Sequence, residues 1–262
     1  MVEVSTRAPL RGYFGTDITP CTFEQWLAAI QDSLDSGARN RLFSNHNLNS
    51  LYLLRRDARF ANFYGRSHNC YIDGVPVRLI LAGAGVATRA EHRFTLMDHM
   101  PELLQHAENA GWRLYFLGST ESVCAQARKL LAQRYPALDL RIHDGYFSDD
   151  NAVLEEINTY RPDLLLVGMG MPLQEHWIDR NIVELDAGCI SNVGASLDFL
   201  IGAQAQPPRW MSRAGLGWLY RLLSDPARLW RRYLVEPWAL LGPTMRLWWD
   251  CRRQNVPPAG SH

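Results

Sequence analysis

Short apolar runs alternate with amphipathic stretches along most of this chain. Runs such as RLFSN (41–45) and DLLLVGMG (163–170) end in polar residues or glycine, and a stretch with helical spacing follows each of them. Similar runs are NCYI (69–72), WRLYFLG (112–118) and CISNVG (189–194). The alternation predicts an α/β fold with a mostly parallel sheet and helices on both faces, and it places ligands outside the carboxyl ends of the strands.

The pattern changes near residue 202. The segment GAQAQPPRWMSRAGLG (202–217) is rich in Gly and Pro and predicts a linker, so we expect an α/β domain over 1–202 and a linker with a helical appendage over 203–262. In the appendage, LGWLYRLLS and PARLWRRYLVE predict two helices joined by a short turn. A third apolar stretch, PWALLGPTMRLWW, is broken by Gly242-Pro243 and Arg246. It can therefore lie in a membrane interface but cannot cross a membrane.

Charge is balanced over the whole chain but not along it. The 27 basic and 27 acidic residues cancel, which argues against a general nucleic-acid binder. From residue 201 onward, however, nine arginines stand against three carboxylates, a net charge of +6, and six of the nine tryptophans lie there as well. This end of the chain therefore predicts an anionic partner, such as a membrane surface.

The cysteines and the N-terminal residues indicate in which cellular compartment the protein works. The five cysteines are odd in number and widely spaced, without a CxxC pair, so we expect reduced core thiols and no zinc site. The N-terminal residues form no apolar signal region, and no run of 18 uncharged apolar residues occurs in the sequence. We therefore expect a cytoplasmic protein.

Three predicted strands end in a glycine that precedes a helix start, at Gly118, Gly170 and Gly194. Such a glycine either tightens the turn or lets the backbone approach a phosphate at the helix N-terminus. Three of them together favour a nucleotide site. The third glycine of a dinucleotide fingerprint is missing after Gly83-Ala-Gly85 and Gly168-Met-Gly170, which disfavours a nucleotide-dependent oxidoreductase.

Three side chains at predicted strand and helix ends are candidates for chemistry. Asp73 precedes Gly74 after an apolar run, so it is either a catalytic base at a strand end or part of a common Asp-Gly turn. Glu175 suits the dipole of a helix start, whereas the Gln174 amide could pair with a base or sugar edge. No Asp-x-Asp pair is present to hold a metal on a diphosphate, so we expect neither a metal nor another cofactor.

Longer strings carry a resemblance to a known family. PDLLLVGMGMPLQEHWI (162–178), NVGASLDFLIG and the tail segments WLYRL and RLWRRY resemble the WecG/TagA/CpsF family of bacterial glycosyltransferases, over residues 12 to 235. The resemblance implies a Rossmann-like fold of the GT-E type. It further implies inverting, metal-independent transfer of a hexose or N-acylhexosamine-type sugar from a UDP donor to a polyprenyl-diphosphate-linked acceptor. Such an enzyme would work in surface-polysaccharide assembly, on the inner face of the cell membrane.

The resemblance also assigns roles to individual residues. Asp73, in DGVPV, matches the family's catalytic base, and Arg93 falls where an arginine stabilises the leaving diphosphate. Further catalytic arginines of the appendage correspond to Arg221, Arg228 and Arg231. The remaining matched or neighbouring positions are assigned to substrate binding: Asn47, Asp98, Gly118, Gly145, Tyr146, Gly170, Gln174, Glu175, Gly194 and Asp198.

Some alternatives stay open at this point. The chain departs from the family pattern at Leu96, at Gly217 and in QAQPP (204–208). A non-catalytic nucleotide- or lipid-binding scaffold of the same fold is the alternative to an enzyme, although its expected mark, loss of Asp73 or of the appendage arginines, is not seen. The sequence identifies neither the sugar nor the oligomeric state. The oligomeric state stays open because the apolar face of the helix predicted at 95–109 could belong to the core or to a homo-oligomer interface.

Overall fold

The computed structural model describes residues 11–204, Met211 and residues 217–254. Six strands form one sheet in the order β2-β1-β6-β5-β3-β4, and every described ladder is parallel. The strands are β1 (Arg41–His46), β2 (Asn69–Ile72), β3 (Arg113–Gly118), β4 (Asp139–His143), β5 (Leu164–Gly168) and β6 (Cys189–Asn192). The predicted α/β architecture is confirmed.

Helices connect the strands and continue after the last one. They are α1 (Arg11–Phe14), α2 (Phe23–Asp35), α3 (Leu48–Leu53), α4 (Ala58–Gly65), α5 (Val75–Gly83), α6 (Leu96–Ala110), α7 (Glu121–Arg134), α8 (Asp150–Tyr160), α9 (Leu173–Asn181), α10 (Ser196–Leu200), α11 (Gly217–Ser224), α12 (Pro226–Trp230) and α13 (Glu236–Gln254). A 3₁₀ turn at Ala90–His92 precedes α6, and a π-helical segment at Arg231–Val235 joins α12 to α13.

Local capping explains where several helices begin. Thr22 caps α2 in a reciprocal box with Gln25, and Thr120 caps α7 by accepting a hydrogen bond from the Val123 N–H. Two helices, α3 and α4, lie between β1 and β2, and Asp57 starts the second by accepting a hydrogen bond from the Phe60 N–H at 3.0 Å.

The sheet has a buried core on each face. One core packs α2, α6, α7 and α10 against the sheet, with Trp26, Leu104 and Leu164 among its fully buried or nearly buried side chains. The other core packs α3, α4, α5, α8, α9 and α13 against the opposite face, around Phe63 and Ile190. Helices therefore cover both faces, as predicted. All five cysteines are free and buried, which confirms the expectation of core thiols.

The helix α13 corrects one prediction. We expected Gly242-Pro243 to break the apolar stretch, but the helix runs through it from Glu236 to Gln254. One stripe of this helix is buried in the core, at Leu240, Thr244, Leu247 and Cys251. This packing holds the helix together despite the missing proline N–H, since tertiary contacts override local propensity. A second stripe, at Trp238, Leu241, Met245 and Trp249, is exposed.

Polar contacts also dock α13 on the α/β domain. The Trp248 indole Nε1 donates a hydrogen bond to the Ile80 carbonyl oxygen at 2.9 Å, and the Tyr13 hydroxyl donates to Asp250 at 2.6 Å. The bond to Asp250 raises the pKa of Tyr13 to about 12. Residues 236–254 are thus packed onto the domain, and the boundary at 202/203 stays a prediction. Within the described ranges, no helix is long and apolar enough to cross a membrane.

Candidate active site

Two adjoining cavities open at the carboxyl edge of the sheet, beneath the C-terminal helices. Their volumes are about 350 and 490 Å³, which lies in the range of small-molecule sites. Both are lined by Asn47, which follows β1, by Asp73, which follows β2, and by Arg221 and Arg232 of the C-terminal helices. The expected position of the ligand site, outside the carboxyl ends of the strands, therefore coincides with a cavity.

Asp73 is held by contacts to the neighbouring strand. Its N–H donates to the His46 carbonyl oxygen at 3.0 Å, and its Oδ2 accepts a hydrogen bond from the Asn47 side-chain amide at 3.1 Å. The Asn47 oxygen is already engaged, because it accepts the Ser50 N–H at 3.1 Å as the cap of α3. The cap therefore turns the amide NH₂ of Asn47 toward the carboxylate.

The electrostatics of Asp73 combine opposing effects. Burial is the largest and raises the pKa of the carboxyl above its usual value of 3.8, while the Asn47 amide and the charges of Arg221, Arg93 and Arg232 lower it. The side chain is half-buried and lines both cavities. It is therefore a carboxylate with increased basicity that can still reach a ligand.

Two arginines predicted from sequence lie at the same cavity. Arg93 is placed by a short parallel bridge to Ile72, directly before Asp73 in the chain. The Arg221 guanidinium lies 5.3 Å from the centre of the Phe199 ring, in cation–π geometry. The structure therefore brings Asp73, Arg93 and Arg221 together around a space that an anionic ligand can enter.

The third cavity arginine differs from the one we expected. Arg231 is exposed, with its guanidinium 5.8 Å from the centre of the Trp230 ring, and it is not part of either cavity lining, whereas Arg232 lines both cavities. Because a helix turns by roughly 100° per residue, two neighbouring arginines leave it in different directions, and only Arg232 faces the cavities. The Arg228 side chain lies outside the described residues.

The two cavities differ in character. The smaller one is bordered by apolar side chains of the domain and of α11, among them Leu48, Val75, Pro76 and Trp218. Asp98, predicted from sequence, lies exposed at its edge in the first turn of α6. The larger one is more polar and extends to the glycine loops after β5 and β6; its lining includes Asn45, Tyr71, Gly170, Gln174, Gly194 and Ser196. One space thus suits an apolar group and the other a polar ligand.

Gln174 ties the two glycine loops together. Its side-chain oxygen accepts hydrogen bonds from the N–H of Gly170 at 3.2 Å and of Gly194 at 3.1 Å, and its NH₂ donates to Glu175 at 2.7 Å. The oxygen of Gln174 is therefore used within the protein, and the pairing of its amide with a base or sugar stays a prediction. Glu175 itself is fully buried and lines neither cavity.

Comparison with known sequences decides the family. The glycosyl transferase WecG/TagA/CpsF family matches residues 11–254. The chain belongs to this family. Similar proteins from Staphylococcus aureus strains MW2, NCTC 8325 / PS 47 and COL are each 29% identical over 199 residues, which cover 72% of this chain and 78% of theirs. Each carries the name N-acetylglucosaminyldiphosphoundecaprenol N-acetyl-beta-D-mannosaminyltransferase. The predicted family is confirmed, and the chain is a glycosyltransferase rather than an oxidoreductase.

Besides Glu175, four positions that the WecG/TagA/CpsF resemblance assigns to substrate are not part of the lining of either cavity. Gly118 pairs with Gly168, and a side-chain carbon there would lie 2.5 Å from the Gly168 carbonyl carbon, so the glycine is required for the close approach of β3 and β5. Asp198 accepts a hydrogen bond from the Ser119 hydroxyl at 2.6 Å. Gly145 donates its N–H to the Ser119 carbonyl oxygen at 2.9 Å, and Tyr146 is 80% exposed. Their substrate roles stay predictions.

Several cavity residues were missed by the sequence analysis. Tyr71 lies two residues before Asp73, so strand alternation alone would have placed both side chains on one face. Asn45 lies two residues before Asn47 and Thr95 lies two residues after Arg93, so each of them is also two positions from a residue that we selected. The described residues contain no cluster of three or more His, Cys, Asp or Glu side chains that could hold a metal ion.

Proposed function

We propose that this glycosyltransferase moves a hexose or N-acylhexosamine-type sugar, with inversion, from a UDP donor to a polyprenyl-diphosphate-linked acceptor. The observation that carries the proposal is one carboxylate of raised pKa, Asp73, facing the same cavity as Arg93, Arg221 and Arg232. The names of the Staphylococcus aureus relatives support an acceptor of the N-acetylglucosaminyl-diphosphoundecaprenol type and an N-acetylmannosamine donor sugar.

In the proposed reaction, Asp73 acts as the base and the three arginines stabilise the leaving diphosphate. The acceptor hydroxyl attacks the anomeric carbon of the donor sugar and gives its proton to Asp73. A bond forms between the acceptor oxygen and the anomeric carbon, while the bond from that carbon to the diphosphate oxygen breaks on the opposite face and leaves its electron pair on UDP. The guanidinium groups of Arg93, Arg221 and Arg232 balance the charge that develops on the diphosphate.

The two cavities suit the two substrates. The larger, more polar cavity extends between the Gly170 and Gly194 loops and offers polar side chains such as Asn45 and Tyr71 for a nucleotide-sugar. The smaller cavity offers apolar walls such as Val75 and Trp218 for the lipid-linked acceptor. Asp73 lines both, as a base that acts between donor and acceptor must.

The exposed stripe of α13 supports a peripheral position on the inner face of the cell membrane. Trp238, Leu241, Met245 and Trp249 form an apolar strip on the outside of the helix. Arginines accompany the strip, and the Arg253 guanidinium lies 4.8 Å from the centre of the Trp249 ring. Tryptophan with arginine suits the headgroup region of an anionic leaflet, where a polyprenyl acceptor would be anchored.

The test is a transfer assay with and without the proposed base. UDP-N-acetylmannosamine, UDP-N-acetylglucosamine and UDP-glucose are offered with N-acetylglucosaminyl-diphosphoundecaprenol, and UDP affinity is measured separately by calorimetry. We expect Asp73→Asn to bind UDP normally but to lower kcat by roughly 10²-fold or more. The control is Asp32→Asn, which removes an exposed carboxylate on α2.

Two outcomes would contradict the proposal. Unchanged turnover in Asp73→Asn would remove this residue from the mechanism. A wild-type chain that binds UDP but transfers no sugar from a wide donor panel would favour the non-catalytic scaffold.

A further inference from the structure

Glu175 is a buried carboxylate close to the candidate site but outside both cavity linings. It lies in the first turn of α9 with none of its surface exposed. Its Oε1 accepts hydrogen bonds from Gln174 Nε2 and Asn192 Nδ2, both at 2.7 Å, and its Oε2 has no hydrogen-bond partner among the described residues. Removing a carboxylate from water costs several kcal/mol, so the buried carboxylate must have a role in the structure that offsets this cost.

A helix-dipole role does not explain the burial. Asp98 occupies the corresponding place in the first turn of α6, three residues after the cap, and is exposed to solvent. Glu175 would gain the same dipole interaction in an exposed position, without the cost of desolvation. Burial instead raises the pKa of Glu175 to about 7, against the lowering effect of the bonds from Gln174 and Asn192.

The hydrogen bonds explain the requirement better. The Glu175 Oε1 accepts these hydrogen bonds, so Gln174 must point its NH₂ toward Glu175 and its oxygen the other way. That oxygen accepts the N–H groups of Gly170 and Gly194 at 3.2 and 3.1 Å. With the amide reversed, the NH₂ would face two N–H donors and both bonds would be lost. Asn192 ties the same carboxylate to β6.

We propose that Glu175 is a positioning residue, which fixes the orientation of the Gln174 amide and thereby holds the Gly170 and Gly194 loops in the shape that lines the larger cavity. Its effect on donor binding rests on the proposed function, because there this cavity takes the UDP part of the donor. Its effect on the shape of the two loops is independent of the proposed function.

Amide hydrogen exchange at Gly170 and Gly194 tests the positioning directly and without ligand. Glu175→Met removes the acceptor at similar size, and we expect both amides to exchange about tenfold faster, as for the loss of one hydrogen bond each. Amides of β5 and β6 should keep their wild-type rates. Glu175→Gln can still accept from Gln174 and Asn192, so it should restore slow exchange. The control Glu184→Met makes the same substitution at an exposed carboxylate.

UDP binding, measured by calorimetry on the same variants, tests the consequence for the site. Glu175→Met should weaken UDP binding about tenfold while Glu175→Gln remains close to wild type. If Glu175 acts through Gln174, the double variant Gln174→Met/Glu175→Met should bind UDP no more weakly than Gln174→Met alone.

The outcomes separate the two proposals. Wild-type exchange rates at Gly170 and Gly194 in Glu175→Met would overturn the positioning role, as would faster exchange throughout the sheet, which indicates general destabilisation. Faster loop exchange with unchanged UDP affinity, or additive effects in the double variant, would overturn the link to donor binding. Absence of UDP binding by the wild-type chain would instead refute the proposed donor, and the exchange rates would still decide the positioning role.

Discussion

Replacing Gly83 by alanine should loosen α13 from the α/β domain. Gly83 is the last residue of α5 and faces the Trp248 indole. A side-chain carbon there would lie 2.5 Å from Nε1 and 2.7 Å from Cζ2 of Trp248, whereas ordinary contact begins at 3.4 Å. The indole must therefore move by about 0.9 Å, which also disturbs its hydrogen bond to the Ile80 carbonyl oxygen.

The cost follows from these contacts. Overpacking of this kind costs about 1–3 kcal/mol, and weakening the Trp248 hydrogen bond adds about 1 kcal/mol. The better helix propensity of alanine returns at most about 1 kcal/mol. We expect a net loss near 2 kcal/mol in the free energy of unfolding. Since α13 continues from the π-helical segment, the shift also displaces Arg232, and kcat/KM for sugar transfer should fall about tenfold.

Urea unfolding and the transfer assay check this prediction. Gly65→Ala is the matched control, because Gly65 also ends a helix and an added carbon there meets no atom within 4 Å. In a Trp248→Ala background the clash is gone, so Gly83→Ala should then cost little. Equal stability and turnover of Gly83→Ala and Gly65→Ala, or an equal cost of Gly83→Ala in both backgrounds, would refute the reasoning.

Four further results are expected. Because burial raises the pKa of Asp73 and the base must be ionised, kcat/KM should fall as the pH drops through that raised pKa, and residual activity of Asp73→Asn should lack this acid limb. The pKa of Glu175 is about 7 in the folded chain, against an ordinary value of 4.5, so between these pH values the folded chain binds more protons than the unfolded chain. Stability should therefore decline with rising pH between these values, by up to about 1.4 kcal/mol per unit, and urea titrations of Glu175→Gln should lack this slope. The double variant Trp238→Ser/Trp249→Ser should sediment less with anionic vesicles while its Tm stays unchanged. The control Val183→Ser, at another exposed apolar residue, should bind vesicles like the wild type, and undiminished vesicle binding by the double variant would contradict the membrane role. Transfer should survive excess EDTA, and a loss restored by Mg²⁺ would show that the arginines do not suffice.

The sheet was predictable from sequence because hydrophobic periodicity reports burial directly. The runs ending before Asn47, Asp73 and Gly118 became parallel strands, and the first two brought their polar residues to one cavity. Periodicity does not predict the pairing order of strands, which is why the adjacency of Asn47 and Asp73 appeared only in three dimensions.

Side-chain direction was harder to predict than position. Adjacent positions on a helix differ in direction by roughly 100°, so residue type alone did not show which of Arg231 and Arg232 faces the cavity. The apolar content of 237–249 was evident, yet Gly242-Pro243 suggested a break, because local signals do not include the contacts of Leu240 and Leu247 with the domain. The use of Gln174 as a link between two loops depends on backbone N–H groups, which leave no trace in residue identity.

The docking of α13 has a consequence for biogenesis. All six strands precede Arg221 and Arg232 in the sequence, so during translation the sheet can pair while its cavity still lacks those two arginines. The apolar surfaces of α1 and α3 that α13 covers also stay open to solvent in that interval. The cavity is therefore complete only once the residues up to Arg232 have been synthesised and packed onto the domain.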